Sequence, residues 1–62
     1  MSNKPYGRIL IEVVEPNYET IYYEIPCYSS KKWLSRFYYE YEHYTKLKQN
    51  GEIIDFTVTA TR

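Results

Sequence analysis

The sequence predicts an α+β fold of order β-β-α-β: a three-stranded antiparallel sheet, strand order 2-1-3, with one long helix packed on one face. Three observations predict it. Residues 6–15 and 19–26 both alternate apolar and polar side chains, and they flank a Pro-Asn pair. Residues 29–51 repeat aromatic side chains at helical spacing, with no Pro or Gly between Ser29 and Asn50. Residues 52–61 alternate again. The helix is then a crossover, so the third strand runs parallel to the second and antiparallel to the first. Placing it beside the first gives a wholly antiparallel sheet with a right-handed crossover.

Residues 1–5 read as a frayed, flexible start. In the first strand Ile9, Ile11 and Val13 point one way, and Arg8, Leu10, Glu12 and Val14 the other. Glu15-Pro16-Asn17-Tyr18 reads as a turn, because Pro16 presets φ at the second position and Asn17 tolerates the third. In the second strand Ile21, Tyr23 and Ile25 oppose Thr20, Tyr22 and Glu24; Pro26 ends it, and Cys27-Tyr28 links it to the helix.

The helix follows from Trp33, Leu34, Phe37, Tyr41 and Tyr44, whose spacing holds them on one face at 3.6 residues per turn. Ser29 or Ser30 supplies the N-cap hydroxyl. Gly51 suits the left-handed position that ends a helix. Lys46 and Lys48 lie where the macrodipole favours cations, whereas Lys31 and Lys32 lie at the end that prefers anions. In the third strand Ile54, Phe56, Val58 and Ala60 are expected in the core, with Ile53, Asp55, Thr57 and Thr59 facing away.

Sixty-two residues are expected to form a single domain. A chain of this size buries only about 60% of its unfolded surface, so it often needs a staple or a partner. One cysteine excludes an internal disulfide, and one Cys with one His excludes a zinc site. A homodimer is the expected remedy. A free thiol and the lack of a leader or long apolar run point to the cytoplasm. Eight basic and eight acidic residues balance, which argues against both a generic nucleic-acid binder and a strongly acidic DNA mimic. Nine tyrosines, two phenylalanines and one tryptophan are the compositional signal. Such side chains suit interfaces, because each combines a large contact area with a polar tip. The apolar residues left on the outer sheet face (Leu10, Val14, Tyr22 and Ile53) read equally as scattered surface positions or as a partner surface.

No catalytic constellation is expected. His43 stands alone on the helix, Ser29 and Ser30 are explained as caps, and Cys27 as a linker residue. There is no Gly-rich phosphate loop, as Gly7 and Gly51 are the only glycines. No cofactor and no metal are expected.

At Tyr22-Tyr23-Glu24-Ile25, and again at Glu52-Ile53-Ile54, the chain resembles the very small uracil-DNA glycosylase inhibitors of protein-primed Bacillus phages. The shared features are the β-β-α-β order over nearly the whole chain, a Tyr-Tyr-Glu run in the second strand and a Glu-Ile-Ile run opening the third. The resemblance implies a homodimer that mimics DNA in the host cytoplasm. An apolar pocket on that dimer takes up the leucine that the host glycosylase wedges into the minor groove. Carried across, the strand-two acid falls on Glu24. The pocket's i, i+4 aromatic pair falls on Trp33 and Phe37 with one linker deletion, or on Leu34 and Tyr38 with none. The helix acid after the first aromatic is missing, since Leu34 or Ser35 stands there; Glu40 and Glu42 are candidates to restore local acidity, with Glu12 and Asp55 on the sheet. The helix is also longer, by Tyr41 to Asn50. The expected partner-binding set is therefore Glu24, Trp33, Leu34, Phe37, Tyr38, Glu40 and Tyr41. The alternatives are a single-stranded nucleic-acid binder that stacks bases on its aromatics, with Lys31, Lys32, Arg36, Lys46 and Lys48 tracking phosphates, and an inhibitor of another host defence protein.

Overall fold

An uninterrupted aliphatic row makes residues 7–14 the natural centre of the sheet, since a central strand is covered on both edges. The computed structural model describes residues 4–62, and of the expected flexible start residues 1–3 lie outside it. Its elements are β1 (Gly7–Val14), β2 (Thr20–Cys27), α1 (Ser30–Gln49) and β3 (Asp55–Thr61). The sheet order is β2-β1-β3, and both pairings are antiparallel. Ile9 lies between Ile25 and Ala60, Ile11 between Tyr23 and Val58, and Val13 between Ile21 and Phe56. Ile9, Ile11 and Val13 are buried under α1. Burial of each such side chain contributes about 1.5–3 kcal/mol.

Ser29 is the N-cap, and its hydroxyl accepts the Lys32 N–H at 3.2 Å. The C-terminus closes in a Schellman arrangement: Gly51 N–H donates to Lys48 O and Glu52 N–H to Leu47 O, with Gly51 at φ 77°. In the hairpin loop Tyr18 N–H donates to Glu15 O, and the Asn17 side-chain oxygen accepts the Glu19 N–H. Tyr18 takes the left-handed conformation there, at φ 67°.

Three expectations are corrected. Pro26 does not end β2; it pairs with Arg8 inside it, and Cys27 is the last strand residue. An edge strand tolerates this, because the missing N–H need not serve a neighbour. β3 begins at Asp55 and not at Glu52. The helix-closing bonds turn the chain at residues 51–54, so alternation does not extend through them: Ile53 is 7% exposed and in the core, while Ile54 is 39% exposed. From Phe56 onward the expected facing holds. The third correction concerns the helix seam. Trp33, Phe37, Tyr44 and Leu47 pack on the core, and Glu40 is buried among them at 6% exposure. Leu34 and Tyr41, expected inside, are half exposed. The spacing i, i+4, i+7, i+11, i+14 is a better helical line than one through Leu34 and Tyr41, and a charged residue occupies its middle.

Candidate functional site

The seam divides the helix into two flanks, and each has its own chemistry. On the β3 flank Leu34, Tyr38 and Tyr41 form an exposed stripe at spacing i, i+4, i+7; they are 50%, 67% and 52% exposed. The Tyr41 ring meets Phe56 of β3 edge-on at 5.6 Å and lies 6.2 Å from Phe37, while Tyr38 meets Phe37 at 5.4 Å. The stripe therefore rests on half-buried rings. A shallow depression beside it is lined by Tyr38, Tyr41, Glu42, Thr45, Lys46 and Gln49.

The seven expected site residues do not form one surface. Leu34, Tyr38 and Tyr41 are together. Trp33 and Phe37 are not available beside them, because they are half-buried against the sheet. The Trp33 indole N–H donates to Arg8 O at 3.2 Å, and its ring meets Tyr6 edge-on at 5.5 Å. Gly7 makes this approach possible: a Cβ there would fall 2.6 Å from both Trp33 Nε1 and Thr61 O. Of the two expected i, i+4 pairs, Trp33 and Phe37 are half-buried, and Leu34 and Tyr38 are exposed.

Glu24 lies on the opposite side of the sheet. It pairs in register with Leu10 on the face away from α1, and its Oε2 is 2.8 Å from Arg8 Nε. It faces a second depression lined by Leu10, Glu12, Tyr22, Thr57 and Thr59. Glu40, expected to offer acidity to a partner, is instead turned inward. Its Oε2 is 2.6 Å from Arg36 Nε, and its side chain is 8% exposed. Tyr44, one turn on, has its phenol pushed up by burial, then by the charge of Glu40 and by Tyr23.

The five cations of a phosphate track are also separated. Lys46 pairs with Glu42 at 3.7 Å and Lys48 with Asp55 at 3.0 Å, at the C-terminal end of α1. That ammonium, followed by the Phe56 N–H, holds the Asp55 carboxyl below its ordinary range. Among the described residues no ion pair involves Lys31 or Lys32.

On the β2 flank lies a depression of about 340 Å³ lined by Pro26, Cys27, Tyr28, Lys32, Ser35, Arg36 and Tyr39. The sequence reading missed it. The i, i+3, i+4, i+7 spacing of Lys32, Ser35, Arg36 and Tyr39 is the signal that points to it.

No protein-family model, no curated protein and no solved structure matches this chain. Among the described residues, no helix is long and apolar enough to cross a membrane.

Proposed function

We propose that the chain is a non-enzymatic inhibitor that binds a host uracil-DNA glycosylase as a homodimer. The observation that carries this reading is the exposed Leu34–Tyr38–Tyr41 stripe, whose Tyr41 ring meets Phe56 of the edge strand β3. Residues 56–61 of β3 hold no charge, no Pro and no Gly. An edge of that kind is a ready template for a second chain. Antiparallel pairing of two β3 edges about Val58 sets Thr57 against the partner's Thr59. It also brings the two helix stripes towards each other over the seam. Two such stripes wall an apolar pocket of the kind that accepts a leucine side chain. Support from the sequence is the Tyr22-Tyr23-Glu24-Ile25 and Glu52-Ile53-Ile54 likeness to the phage inhibitors.

In this reading Leu34, Tyr38 and Tyr41 contact the enzyme's leucine. Glu42 and Asp55, near the stripe, supply the anionic character that a DNA-binding cleft expects, each tempered by its lysine. Trp33, Phe37 and Glu40 hold the helix in place and do not touch the partner. Glu24, across the sheet, contributes only if the partner wraps the dimer edge. Inhibition of uracil excision by the purified chain tests the reading. An inhibitor of another host protein would use the same stripe and leave uracil excision untouched.

A further inference from the structure

We propose that the depression on the β2 flank of α1 binds a nucleotide: a phosphate held by Lys32 and Arg36, with its base stacked on Tyr28 or Tyr39. This site lies on the other flank of the helix from the Leu34–Tyr38–Tyr41 stripe and does not depend on the inhibitor reading. Four observations carry it. The depression, about 340 Å³, is concave and falls in the range of small-ligand pockets. Its helix wall presents Lys32 and Arg36 one turn apart, and Ser35 also lines it. Lys32 has no carboxylate partner among the described residues. Arg36 uses its Nε for Glu40, which leaves the terminal guanidinium N–H groups as donors. Tyr28 and Tyr39 flank the cations and are exposed. The Tyr39 ring is stacked on His43 at 6.3 Å with 2° between planes, which holds it as a flat platform.

Charge placement adds a separate argument. The first turn of α1 has no acidic residue, and Lys31 and Lys32 occupy it. Cations at that end oppose the helix dipole, so they weaken the helix in isolation. A bound anion reverses the sign, because lysines and helix terminus then attract the same charge. No acid lines the depression, and Glu40, which pairs with Arg36, is buried. The chain's zero net charge therefore conceals a local positive site. A phosphate suits two cations lining one depression, and a flat base suits two exposed phenol rings.

Amide NMR titration of the full chain with AMP tests this, with adenosine, inorganic phosphate and a deoxyadenosine oligonucleotide as further arms. The expected result is saturable shifts at Tyr28, Lys32, Ser35, Arg36 and Tyr39 with AMP, and weaker binding of adenosine or phosphate alone. Lys32→Gln should weaken AMP binding about tenfold, the loss expected for one charged hydrogen bond. Lys46→Gln, at the far end of α1, should leave it unchanged. Shifts of the same residues by the oligonucleotide identify a strand as the natural source, and shifts by AMP alone identify a free nucleotide. Both support the site. Unmoved signals at these residues with millimolar AMP and with the oligonucleotide overturn it, as does a Lys32→Gln variant that binds as the wild type does.

Discussion

Arg36 Nε lies 2.6 Å from Glu40 Oε2, and the pair sits where the helix meets the sheet. Glu40 occupies the middle of the buried line, while Arg36, one turn earlier, remains half in solvent. A buried carboxylate left alone loses its solvation without compensation, so the two substitutions differ in effect. Arg36→Ala should destabilise the fold by about 1–2 kcal/mol, a value reduced for the exposure of the arginine. Glu40→Leu keeps the volume, removes the charge and should be neutral or stabilising. Urea unfolding of both variants checks this; equal losses in the two would show that the ion pair itself stabilises the fold.

The opening of β1 depends on having no side chain at position 7. In Gly7→Ala the new methyl group meets Thr61 O and the Trp33 ring, so the indole must withdraw from Arg8 O. The expected cost is about 1–3 kcal/mol, with a red-shifted Trp33 fluorescence maximum as the ring gains water. An unchanged spectrum and midpoint would mean that Trp33 is not docked there.

Tyr18 sits at φ 67° and is 79% exposed, so it carries left-handed strain without packing in return. Tyr18→Gly should stabilise the hairpin by about 1 kcal/mol, the usual left-handed penalty for an L-residue less the added freedom of the unfolded chain. The thermal midpoint is the readout. A fall in it would mean that the tyrosine ring contributes more than its backbone costs.

Two groups have shifted titrations that make stability depend on pH. Asp55 has its carboxyl lowered first by the Lys48 hydrogen bond, so its contribution is present above the unfolded carboxylate value near pH 4 and is lost as pH falls through the folded one. Tyr44 has its phenol raised by burial; its contribution is intact below the ordinary value of about 10 and is lost above it. Stability measured against pH should fall at both ends, and Asp55→Asn should flatten the acid limb only. An acid limb with the same slope in Asp55→Asn would assign it to other carboxylates.

The sequence made the sheet legible, since alternation in β1 and from Phe56 onward carries direct facing information, and Gly51 marked the helix end. The helix seam was less legible. A line through apolar residues includes Leu34 and Tyr41 and rejects Glu40, because composition does not disclose that Arg36 neutralises the acid. Ile53 is buried and Ile54 exposed, the reverse of a two-residue period, because the Schellman bonds turn the link between α1 and β3. The site residues divided along the same line. Leu34, Tyr38 and Tyr41 share a surface, but Glu24 is separated from them by the sheet, which nearness in motif order conceals. The β2-flank depression combines Tyr28 with residues one and two turns into the helix, so only the fold brings its walls together.

In the proposed function the Leu34–Tyr38–Tyr41 stripe, on a β3-joined dimer, captures a glycosylase leucine. The most direct measurement is uracil excision from a labelled oligonucleotide by a bacterial uracil-DNA glycosylase, titrated with the wild-type chain and with Tyr38→Ala. Tyr38→Ala removes an exposed ring and should change stability by less than about 0.5 kcal/mol. Stoichiometric inhibition by the wild type is expected, with at least about a tenfold loss of potency in Tyr38→Ala, the scale of an aromatic anchor at an interface. Undiminished excision with a molar excess of folded wild-type chain would contradict it.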